Sequence, residues 1–218
     1  MKSIVTKIAF TLIVVGAMGI CNSTSTFAQG TPAESITDAE GNSYRTIKIG
    51  NQTWMVDNLR TTKYNDGAPI ATASEIGDLR KTTMPAYSVH NNGNANYGHL
   101  YNWYAVNTGK LAPKGWHIPT KQDWDLLLNY LGGFSKAGDK MKSTSWSPNG
   151  MSGFDAMPAG FLANSGMFAN VGNAAFWWST RERNAAQADY VKIMSSLPSA
   201  LSNGAVKQFF MSVRCVKN

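Results

Sequence analysis

The sequence predicts an α+β fold built from short, largely antiparallel strands, one strongly marked amphipathic helix and much loop. Three observations carry this. Strand candidates far outnumber helix candidates, one segment near 120–132 has full helical periodicity, and helices do not alternate with strands as a doubly wound sheet requires.

In chain order, the first 28 residues read as an export signal. Lys2 and Lys7 precede an apolar run from Ile8 to Ile20, and a polar stretch leads to Thr26-Phe27-Ala28, with cleavage expected after Ala28. A membrane anchor is the weaker alternative, because the run is shorter than the roughly 20 residues a spanning helix needs. Acylation of Cys21 is a further alternative, disfavoured by Ile20, since a small residue normally precedes a lipidated cysteine. Removal of the signal leaves 190 residues, enough for one domain with a substantial core, and lowers the formal charge from +7 to +5. The basic residues are scattered, so a solvated surface is expected and nucleic acid is not implied; a weak attraction to acidic glycans stays open.

Residues 29–41 are small, polar and acidic, and read as a flexible tether, with the domain spanning 42–218. Tyr44 to Ile49, the Gly50-Asn51 turn and Thr53-Trp54-Met55 make a β-hairpin. Arg60 to Pro85 shows no period and reads as a long loop with a short turn of helix. Asn91, Asn92, Asn94 and Asn96 surround Gly93 in a turn-forming cluster whose amides can also bond sugar hydroxyls. An aromatic patch follows, with Tyr101 and Trp103 at its centre.

Pro119 keeps Ile118 extended, Thr120 takes the N-cap position, and Asp123 three residues on completes a capping box. Trp124, Leu127, Leu128 and Leu131 then form one apolar stripe, and Gly132-Gly133 ends the helix. Ala137 to Lys142 suits a short second helix, and a polar loop surrounds Trp146. Strands are expected at Phe154–Met157, Phe161–Ala163, Ala175–Ser179, Tyr190–Ile193, Val206–Met211 and Val213–Lys217.

Chemistry is sparse. The three histidines, His90, His99 and His117, lack the i, i+4 spacing of a helical metal pair, and no nucleophile and base stand out. His117, between Trp116 and Ile118, reads as a structural histidine. The loop acids are isolated, so no calcium site, metal or cofactor is expected. With Cys21 removed, Cys215 has no intramolecular partner; it is a buried inert thiol, half of an intermolecular disulfide or a reactive group, and its valine-flanked strand favours burial. Trp177-Trp178 is the informative aromatic pair. Adjacent strand residues face opposite ways, so the two indoles cannot enter one core, and Trp178 either stacks on a sugar ring or fills a second core.

Several segments taken in order resemble one family: Gly41-Asn42-Ser43-Tyr44 through Trp54 to Asn58-Leu59, Tyr97-Gly98-His99-Leu100-Tyr101-Asn102-Trp103, Gly115-Trp116-His117-Ile118-Pro119-Thr120 with Trp124, Gly153-Phe154, Trp177-Trp178-Ser179-Thr180, and Val213-Arg214-Cys215-Val216. Together they are similar to the Fibrobacter succinogenes major paralogous domain, a family of exported or surface proteins of Bacteroidetes and Fibrobacteres without an established biochemical role. The resemblance implies a C-type-lectin-like fold, shared with formylglycine-generating enzymes. It also implies that Cys215 has lost a disulfide partner, whose place is taken by Ala112. The expected function is therefore that of a noncatalytic domain in the periplasm, at the outer-membrane surface or outside the cell, serving carbohydrate binding or adhesion to a surface protein. Trp178, Asn91, Asn92, Asn94 and Trp146 are its candidate contacts. An enzyme of the formylglycine-generating type and a purely structural domain of a surface assembly are the alternatives.

Overall fold

A computed structural model describes residues 29–91 and 93–218. The export signal, its cleavage site at Ala28, Cys21 and Asn92 lie outside the described residues. In chain order the strands begin with β1 (Thr31–Thr37), β2 (Ser43–Ile49), β3 (Gln52–Met55), β4 (Ala71–Thr72), β5 (Ala86–Ser88) and β6 (Leu100–Asn102). After a short α1 (Trp103–Val106) come β7 (Trp116–His117), α2 (Lys121–Tyr130) and α3 (Phe134–Met141). The chain closes with β8 (Phe161–Leu162), β9 (Phe168–Ala169), β10 (Ala174–Glu182), β11 (Gln187–Met194), β12 (Ala200–Val206), β13 (Phe210–Met211) and β14 (Val216–Lys217).

These strands form three sheets, ordered β1-β2-β3-β14-β7, β10-β11-β12 and β4-β5-β6-β13-β8-β9. Strand accounts for 35% of the described residues and helix for 13%, so the fold is β-rich, and the expected α+β, C-type-lectin-like class is corrected. The error has a physical source. Most strands in the six-stranded sheet are two or three residues long, too short for a period of two to register.

The tether is corrected too. Thr31–Thr37 pairs antiparallel with β2, with a register shift between Ala33 and Ile36. Only Ile36 is partly buried, so this edge strand is held chiefly by main-chain bonds and shows no apolar alternation. Phe154–Met157 does not form a strand, because Asp155 takes φ 54° and breaks the extended run. Val206–Met211 divides between β12 and β13 at a turn in which the Phe209 N–H donates to the Val206 carbonyl. Arg60 to Pro85 holds β4 and turns but no helix.

The hairpin β2–β3 and the helix α2 form as expected. Thr120 Oγ1 accepts from Asp123 N at 3.2 Å and Asp123 Oδ2 accepts from Thr120 N at 2.9 Å, the reciprocal capping box. Trp124, Leu127, Leu128 and Leu131 are all buried. At the far end the Gly133 N–H bonds the Leu128 carbonyl while Gly132 and Gly133 adopt positive φ, a Schellman-like stop.

β10 lies between two cores. Trp177 packs into one with Trp54, Trp124 and Phe154, and Trp178 into the other with Tyr101, Trp103 and Cys215. α3 closes the first core against β12 through Gly138, where an added Cβ would lie 2.3 Å from the Ser199 carbonyl oxygen. Glycine to alanine in an exposed helix gains about 1 kcal/mol. Here Gly138→Ala is expected instead to cost about 1–3 kcal/mol by overpacking against backbone, read as a lower urea midpoint.

Candidate functional site

The motif residues converge on a buried hub. Asn58 Oδ1 accepts from Trp177 Nε1 at 3.0 Å and from Arg214 Nε at 2.8 Å, while Asn58 Nδ2 donates to the Tyr97 carbonyl at 2.8 Å. A fourth bond, from Asn58 Nδ2 to Ser212 Oγ at 3.3 Å, completes its hydrogen-bonding capacity within the fold. Arg214, 1% exposed, also donates to the carbonyls of Phe154 and Asp155, and its guanidinium lies 4.3 Å from the Phe154 ring centroid. Burial lowers its pKa to about 9, opposed by the carboxylates of Asp57 and Asp155, so it stays charged at neutral pH. Gly98 closes the hub; a Cβ there would meet Asn58 Cβ at 2.7 Å.

Above the hub lies a polar hollow of about 260 Å³ between the loop tracts 60–96 and 143–160, lined by Arg45, Asp57, Arg60, Asn96, Ser145 and Asp155 among others. Arg45 leaves the outward face of β2 and bridges both acids, at 2.6 Å to Asp57 and 3.2 Å to Asp155. Burial opposes the charge of Asp57, yet the Arg45 side chain and backbone hydrogen bonds hold its carboxyl below the ordinary range. Asp155 reaches this position through its left-handed backbone, a conformation Asp tolerates better than most residues.

This hollow is one of a row. It shares Arg45, Val56 and Asp155 with a neighbour of about 350 Å³ beside β1. On the other side it shares Arg60 and Ala95 with a hollow of about 240 Å³ at His90 and His99. That one meets a fourth, of about 430 Å³, at Val89, where Tyr87, Leu162 and Phe168 make the wall mostly apolar. The four adjoin in a groove whose central hollow is polar and whose other three are more apolar than polar.

His90 marks the third hollow. It is 8% exposed, neither ring nitrogen has a hydrogen-bond partner among the described residues, and the ring meets Tyr97 and Phe168. Burial lowers its pKa to about 4, with a smaller contribution from His99, whose own pKa is also lowered by burial. The folded state therefore binds fewer protons than the unfolded chain between about pH 4 and 6.5. Stability is expected to fall as pH drops through that window, by on the order of 1–2 kcal/mol after solvent screening is allowed for. Urea midpoints from pH 7 to 4.5 should show this slope, and His90→Phe should flatten most of it.

The expected ligand contacts fare unevenly. Trp178 is fully buried and its Nε1 donates to the Tyr101 carbonyl at 2.8 Å, so it offers no stacking face and the platform reading is corrected. Asn91 is exposed, and Asn94 caps a 3₁₀ turn by accepting from Asn96 N while it lines the third hollow. Trp146 lies half-buried against the Trp177 core.

The structural motif residues hold the sheets together. The Trp54 and Trp124 centroids lie 4.8 Å apart, Trp103 Nε1 bonds the Ser179 carbonyl, and the Pro119 carbonyl accepts from Thr180 N. Trp116 is part-buried on β7, and His117 sits between Asp123 at 3.1 Å and Asn218 at 2.7 Å. Cys215 is buried in the same core as Ala112, and burial pushes its thiol well above the ordinary range. Among the described residues no group of three His, Cys, Asp or Glu side chains gathers as a metal would require.

Arg45, Asp57, Arg60 and Asp155 were not legible as site residues. Asp57 and Asp155 are 98 positions apart in sequence, and only the outward alternation of Arg45 on β2 gave a local signal. The Fibrobacter succinogenes major domain matches residues 47–217, which include every groove-lining aspartate but not β1 or Arg45. Neither a curated protein nor a solved structure matches the chain.

Proposed function

The chain belongs to the Fibrobacter succinogenes major domain family, and from that premise we propose that it is an exported, noncatalytic domain that binds a glycan in the groove between its loop tracts. The observation that supports this most is the Arg45–Asp57–Asp155 cluster, which holds one guanidinium and two carboxylates at a solvent-facing wall. Carboxylates and guanidinium groups fixed in this way accept from and donate to sugar hydroxyls without reorganising. Both aspartates are engaged with Arg45, and among the described residues that line the central hollow there is no cysteine or histidine. Export rests on the lysines and apolar run of the first 28 residues.

A glycan array with the mature chain, run with calcium and with chelator, tests the reading. Reproducible binding is expected, weakened about tenfold by Asp155→Asn, which removes one charged hydrogen-bonding group worth roughly 1.5 kcal/mol while keeping a side chain that tolerates the left-handed backbone. A blank array beside a cooperatively folded protein would sink the glycan reading. A second reading, capture of a surface protein, is favoured by the exposed Val89 at the apolar end of the groove and by the exposed Met167, which lies between the lining residues Gly166 and Phe168.

A further inference from the structure

Three arginines and two aspartates line the central hollow. Arg45 is committed to both aspartates, and Arg214 is buried beneath them among backbone carbonyls. Arg60 is the one left over. Its Nη2 donates to the Ser43 carbonyl at 2.8 Å and its guanidinium lies 4.7 Å from the Tyr44 ring centroid, but it forms no ion pair among the described residues. These two contacts fix the guanidinium while leaving its remaining donors unassigned. Arg60 also lines both the charged central hollow and the more apolar one at His90 and His99, so it stands at the middle of the row.

We propose that the groove takes a linear, carboxylated polysaccharide laid along several adjoining hollows, with Arg60 holding a sugar carboxylate at the centre. This rests on the glycan reading and narrows it in two respects, the length of the ligand and its charge. A monosaccharide would occupy one hollow and leave its neighbours empty. A chain uses the polar wall at Asp57 and Asp155 for its hydroxyls and the Tyr87–His99 stack, with centroids 5.2 Å apart, beside its less polar ring faces. A fixed fork of donors fits a carboxylate through charge-assisted bonds, whereas the hydroxyls of a neutral chain accept only weaker ones.

The experiment is a calorimetric titration of protein produced from the full chain. The probes are 4-linked oligogalacturonates and oligomannuronates of two to eight units, each beside its methyl-esterified, uncharged counterpart. Affinity is expected to rise at least tenfold from two units to six, to favour acid over ester at least fivefold, and to weaken with added salt. Arg60→Gln should abolish the preference for acid over ester, and Arg60→Lys should restore part of it. Equal affinity for acid and ester, or no gain with length, would overturn this proposal while leaving glycan binding intact. Binding of neutral glycans alone on the array would do the same. The absence of binding to every glycan would instead remove the reading on which it rests.

Discussion

Replacing Arg214 by alanine is expected to lower stability by about 3–5 kcal/mol, the range found when one member of a buried, hydrogen-bonded charged cluster is removed. The side chain touches nearly every part of the hub. Its loss leaves the carbonyls of Phe154 and Asp155 without their donor, deprives Asn58 Oδ1 of one of two donors, and opens a void beside the Phe154 and Trp177 rings. Arg214→Lys keeps the charge but cannot span the three acceptors, so a loss of about 1–3 kcal/mol is expected. Urea midpoints for the two variants decide the matter. If Arg214→Ala melts with the wild type, the hub does not carry the stability assigned to it.

Trp178→Ala is expected to cost about 3–5 kcal/mol, through loss of buried aromatic area and the cavity left behind. The indole is wholly enclosed, meets Tyr190 edge-on at 6.5 Å between centroids, and satisfies the Tyr101 carbonyl. Trp178→Phe separates the contributions in part, because it keeps most of the volume while losing the N–H donor and the smaller ring of the indole. About 1–2 kcal/mol should then be lost. Glycan binding by the folded Trp178→Phe variant should match the wild type, since the side chain reaches no part of the groove. A changed affinity with an unchanged fold would return Trp178 to the ligand surface.

What the sequence made legible was local. Thr120 and Asp123 announce α2 because a cap is a relation between neighbours, and the apolar stripe that follows fixes which face is buried. The opposition of Trp177 and Trp178 was readable from the pleat alone, and they do enter different cores. The edge strand β1 was hidden because exposed main-chain pairing leaves no hydrophobic pattern. The groove was hidden for a different reason. Its walls come from β2, from the stretch after β3 and from the loop before β8, and Asp155 owes its direction to a backbone conformation that composition does not reveal. Asn58 and Arg214 stood out as motif residues, yet only geometry shows that they build the floor beneath the charged wall.

Three sheets in one chain suggest three parts that could loosen separately, but β10 argues otherwise. One of its faces completes the Trp54–Trp124 core and the other completes the Tyr101–Trp103 core. Ser212 of the segment leading to β14 bonds it on both sides, donating to Phe176 and accepting from Trp178. Opening either core therefore strips water-excluding contacts from the strand that seals the other. The two cores share a single partition, so their free energies of opening are coupled.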